Sequence, residues 1–114
     1  MKRTITSLVA TAMLAVSLPA SAASYAGYVR NWWVEENGDI NFYFLNSDNS
    51  AYVTGLCGWG NYRLKVTNAN YDVAYDSLKL AARNGYKVLM EVTTCDSSIN
   101  VIKMVKVCTW TGDC

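Results

Sequence analysis

The chain of 114 residues carries ten basic and nine acidic side chains, four cysteines and no histidine. This length allows one small domain with one modest core, and the balanced charge excludes the strongly basic face that nucleic-acid binding requires. The lack of histidine removes the commonest general base, proton shuttle and metal ligand together, so an enzyme would have only carboxylate, Lys, Tyr or Cys chemistry to work with.

Met1 to Ala22 reads as a cleaved export signal. Lys2-Arg3 is a basic start, Leu8 to Leu18 an apolar run, and Ala20-Ser21-Ala22 places small residues at the cleavage site. The apolar run is shorter than the roughly 20 residues of a membrane span, and no later segment is long and uncharged enough to cross a bilayer. Cleavage after Ala22 takes 22 of the 114 residues and leaves 92, with eight basic against nine acidic side chains. A single domain over residues 23–114, secreted or periplasmic, is the expectation.

Ala23 to Gly27 is a lead-in of small residues, and the first strand runs from Tyr28 to about Glu36. Adjacent Trp32 and Trp33 cannot share one face, so this strand either carries a bulge or exposes one tryptophan. Asn37-Gly38 between two aromatic-rich runs predicts a long hairpin closed by a type I′ turn. In the second strand Ile40, Phe42 and Phe44 alternate with Asn41 and Tyr43, and the Phe series should face the core. Asn46 to Ser50 is a polar loop and Ala51 to Gly60 an irregular connection. Tyr62, Leu64 and Val66 alternate with charged and polar neighbours in a half-buried third strand.

Asn68 to Gly85 is the one helical pattern, with Tyr71, Ala74, Tyr75, Leu78, Ala81 and Ala82 at helical spacing. Asn68 or Asn70 can cap it, Asp72 suits its first turn, and Gly85 is the stop. The fourth strand, Lys87 to Thr94, places Val88, Met90 and Val92 on one face. Cys95 to Ser98 is a tight connection, and the fifth strand, Ile99 to Val107, is apolar on both faces.

Three strands, a helix and two strands give a mainly β fold in the order of the five-stranded OB barrel, β-β-β-α-β-β, whose curved first strand pairs with both the second and the fourth. The alternative is an open α+β sheet covered by the helix. Four cysteines in an exported chain of this size predict two disulfides, for which three pairings exist. In an OB barrel the third and fifth strands run parallel, so Cys57 before the third and Cys95 at the end of the fourth fall at one end of the barrel. Cys108 and Cys114 are then left to each other. A zinc site is the rival use of these cysteines, but the spacing lacks a close Cys-x₂-Cys pair.

The mature chain, with GYVRNWWVEENGDINFYF, a cysteine before NYRLKV, then YDSLKLAARNGYKVLMEV and a final apolar strand, resembles small exported proteins related to the B subunits of pentameric bacterial toxins, subtilase cytotoxin in particular. The resemblance implies an OB barrel, a ring of five copies with or without a catalytic A subunit, and binding of a glycan or glycoprotein receptor. No contact residue is carried over from it.

A sugar presents apolar C–H faces beside hydroxyls, so an exposed aromatic ring next to Asn, Asp or Ser is a natural site for one. Trp59, Asn61 and Tyr62 beside Asn46 and Asp48 could form it; in the competing reading Trp59 plugs a barrel end next to the disulfide. Glu35, Glu36 and Asp39 at the hairpin tip read as a solvated turn rather than an acid/base pair or calcium site. An even cysteine count without histidine leaves no activated thiolate. The sequence therefore predicts a non-enzymatic binding module with no catalytic residue, metal or cofactor. The alternative is a small inhibitor or immunity-type protein that blocks a protein partner.

Overall fold

The computed structural model describes residues 23–110 and 114. The expected export signal lies outside the described residues. Among the described residues five strands, β1 (Ala23–Val34), β2 (Ile40–Leu45), β3 (Asn61–Leu64), β4 (Lys87–Asp96) and β5 (Ile99–Cys108), close into a barrel in the order β1-β2-β3-β5-β4, with one helix, α1 (Tyr71–Asn84), between β3 and β4. The closed barrel excludes the open sheet.

Closure depends on β1 serving two neighbours. Ala23 to Gly27 pair with Val92 to Val88 of β4, and Tyr28 to Val34 pair with β2. The small-residue lead-in is therefore strand. At Gly27 there is no room for a side chain: a Cβ would come within 2.8 Å of the Leu45 carbonyl oxygen and 3.0 Å of Val53. Further along, the β1–β2 register shifts between Arg30 and Trp33, where Asn31 takes a φ of 49°. This is the bulge that the paired tryptophans offered as one of two outcomes, and both rings also reach the surface.

The hairpin is present, but its turn is not type I′. Asn37 keeps a negative φ while Gly38 sits at +101°; the Gly38 N–H donates to the Glu35 carbonyl at 3.0 Å, and the Glu35 N–H to the Asp39 carbonyl at 2.7 Å. This is a type I turn followed by a left-handed glycine, the usual three-residue hairpin loop. Its acidic side chains are not simply solvated. Asp39 is buried and accepts from the Val66 N–H at 2.8 Å, and one Glu35 oxygen accepts from the Trp33 indole at 3.0 Å and the Asn41 amide at 2.9 Å.

Ile40, Phe42, Phe44, Leu64, Val88, Met90, Val92 and Ile102 fill the barrel, and Leu78 and Ala81 of α1 close it. Phe42, Phe44 and Tyr62 pack ring against ring, with Phe44 and Tyr62 centroids 4.8 Å apart. The third strand ends at Leu64, so Val66 is exposed rather than inward-facing. Gly85 ends α1 at a φ of 70°, as the stop signal predicts. At the other end Asn70 makes no side-chain cap; the Asn68 side chain instead accepts from the Asn70 N–H at 2.8 Å. The parallel β3–β5 pair brings Cys57 and Cys95 together with Cα atoms 5.7 Å apart in one disulfide, and Cys108 and Cys114 form the second at 5.8 Å. Among the described residues no helix is long and apolar enough to cross a membrane.

Candidate functional site

On the outer face of β1, β2 and β3, opposite the core, the register aligns Arg30 with Tyr43, Trp33 with Asn41, Asn41 with Arg63, and Tyr43 with Asn61. Residues opposite each other in a ladder share a face, so Trp33 and Tyr43 both stand outward. They touch, with centroids 5.5 Å apart. The connection after β2 folds back along this face through a bridge between Leu45 and Tyr52 and lays two more rings beside them. Tyr43 and Tyr52 are 5.8 Å apart, and Tyr52 and Trp59 are 5.1 Å apart. Trp33, Tyr43, Tyr52 and Trp59 thus form one continuous aromatic strip. Trp33, Tyr52 and Trp59 are 36%, 44% and 44% exposed, so their rings are open to a ligand.

The strip is held from beneath. Tyr52 lies on Gly60, where a methyl group would overlap the ring carbons, and the Gly60 carbonyl accepts from the Phe44 N–H at 2.9 Å. Asn100, fully buried at the start of β5, organises the rest of the connection. Its amide nitrogen donates to the carbonyls of Trp59 at 2.8 Å and of Thr54 and Asn61 at 3.2 Å each, and its oxygen accepts from the Cys57 N–H at 2.9 Å. With the Cys57–Cys95 bridge, this ties the loop carrying Trp59 to the barrel.

Polar groups flank the rings. Arg30, Asn31, Asn49 and Leu45 join Tyr43 and Tyr52 around a shallow groove of about 240 Å³. The Arg30 Nε donates to the Asn49 side-chain oxygen at 2.8 Å, its Nη1 donates to the Val29 carbonyl, and its guanidinium lies over the Tyr28 ring. On the far side of Trp33 a polar chain runs from Glu35 through Asn41 to Arg63, whose guanidinium meets Asp96 at 3.3 Å beside Lys65 at 3.0 Å. The hydrogen bond from Lys65, with the charges of Lys65 and Arg63, holds the Asp96 carboxyl below its ordinary range.

Of the five residues expected to form the site, the structure keeps two at the strip. Trp59 stands exposed on the surface and does not plug the barrel. Asn61 faces the same side as Tyr43, and its side-chain oxygen is buried without a partner. Tyr62 must be corrected: its ring is in the core at 0% exposure, its hydroxyl donates to the Val53 carbonyl at 3.0 Å, and burial pushes its ionisation well above the ordinary tyrosine value. It cannot serve as a platform. Asn46 and Asp48 shape their own loop, Asn46 accepting from the N–H groups of Ser50 and Ala51 and Asp48 from that of Ser50. The strip residues that sequence reasoning left out are Trp33, Tyr43 and Tyr52; the outward parity of Tyr43 was readable from the alternation of β2, whereas that of Tyr52 was not.

Among the described residues no group of three or more His, Cys, Asp or Glu side chains is placed to hold a metal ion. No family model matches the chain, and no curated protein matches it in sequence. In structure it is similar to the cholera toxin-like B-subunit from Citrobacter freundii, with a TM-score of 0.55 and 13% identity over 95% of this chain and 100% of that one. At that identity the likeness is one of fold and does not single out subtilase cytotoxin. The chain has a toxin B-subunit-like fold.

Proposed function

We propose that this chain is an exported, non-enzymatic binding module that holds a glycan on its aromatic strip and acts in several copies on one assembly. The observation that carries the reading is four contiguous outward rings with Asn and Arg side chains at their margin. Aromatic faces match the C–H faces of sugars, and the polar margin matches their hydroxyls. The B-subunit-like fold supports a binding role, and the two disulfides suit an oxidising compartment. A shallow surface site binds weakly alone, and repeating it on a rigid ring can raise avidity about 10²- to 10⁴-fold. Val73, Leu80 and Met104, exposed on α1 and β5, offer apolar surface for contacts between copies.

The test is a broad glycan array probed with the mature protein and with Tyr52→Ala, together with sedimentation of both at micromolar concentration. Array binding by an oligomer, lost in the variant without change in circular dichroism or size, is the expected result. A monomer silent on the array would retire the reading and put the protein-blocking alternative first.

A further inference from the structure

The shape of the strip carries information about the form of its ligand. Resting on the glycan-binding reading, we infer that the strip is a track for an internal stretch of one extended oligosaccharide chain, about one sugar per ring, and not a socket for a single terminal sugar. Three features support this.

The first is length. Trp33, Tyr43, Tyr52 and Trp59 follow one another at 5.5, 5.8 and 5.1 Å with no gap. A pyranose face is about the size of one aromatic ring, so one sugar covers only part of the series. The second is the lack of depth. The groove beside the two middle rings, Tyr43 and Tyr52, encloses about 240 Å³, below the roughly 300–1,000 Å³ of sites that surround a small molecule. A terminal sugar would find one wall and no enclosure, whereas a chain gathers small contacts along its length.

The third is the turning of the ring planes, by 57°, 61° and 39° from each ring to the next. No flat surface can lie against all four rings at once. A single dissolved chain, free to rotate about its glycosidic bonds, can follow them. The track is also rigid, with Tyr52 seated on Gly60 and the Trp59 loop held by Asn100 and the disulfide, so this twist is presented before the ligand arrives.

The experiment is titration of the mature protein with four series of oligosaccharides of one to six units: cello-, chito-, malto- and β-1,3-gluco-oligosaccharides. In a series that binds, affinity should rise roughly twofold to tenfold per unit and level off near four units. Trp59→Ala, which removes an end ring, should move the plateau to about three units, and Tyr52→Ala, which breaks the middle, should reduce the tetramer to the affinity of the dimer. Powdered crystalline cellulose and chitin should not retain the protein. Affinity independent of length, an unmoved plateau in Trp59→Ala, or retention on the crystalline polymers would overturn the track while leaving glycan binding intact. Silence in all four series and on the glycan array would remove the glycan reading, and the track with it.

Discussion

Asn100→Ala is the sharpest test of how the strip is built. Asn100 is at 0% exposure, and its side chain bonds the carbonyls of Thr54, Trp59 and Asn61 and the N–H of Cys57. Alanine would strip all four groups of their partner. Thr54 and Trp59 lie on the surface, where water can replace the amide, while Cys57 and Asn61 are half-buried and rehydrate poorly. Two unsatisfied groups, at about 1–3 kcal/mol each, imply a loss of about 3 kcal/mol. For a domain of this size that is roughly 12–24 °C in melting temperature. The assay is thermal unfolding followed by circular dichroism under non-reducing conditions, so that the Cys57–Cys95 bridge stays closed. Asn100→Asp should be worse at neutral pH, because a carboxylate cannot donate to the three carbonyls. That variant should recover partly as pH falls and the carboxyl regains a proton to donate. A loss below about 1 kcal/mol in Asn100→Ala would refute the reasoning: the bonded groups would then be reaching water, and the disulfide alone would be holding the loop.

Other outcomes follow from the same geometry. Tyr62→Ala should cost about 3–5 kcal/mol, the range for emptying an aromatic core site, and should be seen as a large fall in the chemical-denaturation midpoint; a wild-type midpoint would place the ring at the surface. Gly38→Val should cost about 1–3 kcal/mol, because a β-branched residue is strained at positive φ and its Cβ would meet Val66 at 3.2 Å; an unchanged melt would mean that the loop adopts another shape. Asp96 has a folded ionisation value below its ordinary 3.8, so its pairing with Lys65 and Arg63 contributes fully above that value and is lost as pH falls through the folded one. The melting-temperature gap between the protein and Asp96→Asn should therefore close in acid, and a gap that widened there would reverse the assignment.

The sequence by itself determined what local pattern encodes. Alternation in Ile40, Phe42 and Phe44 marked the core face of β2, helical spacing and Gly85 marked α1 and its end, and element order with cysteine placement favoured the barrel over the open sheet and, through the barrel, both disulfides. Each of these depends on neighbours a few residues apart or on strand order. The functional face depended on more. Only the tertiary structure decided that Trp59 points out, since it belongs to a connection whose direction is set by Asn100 and the Cys57–Cys95 bridge, far away in sequence, whereas Tyr62 in β3 follows the inward parity that it shares with Leu64. Only it decided that the bulge at Asn31 sends Trp32 to Tyr75 of the helix and Trp33 to Tyr43 of the strip. The strip joins β1, β2 and a loop through register, and a one-residue slip in any of them turns its rings to the other face.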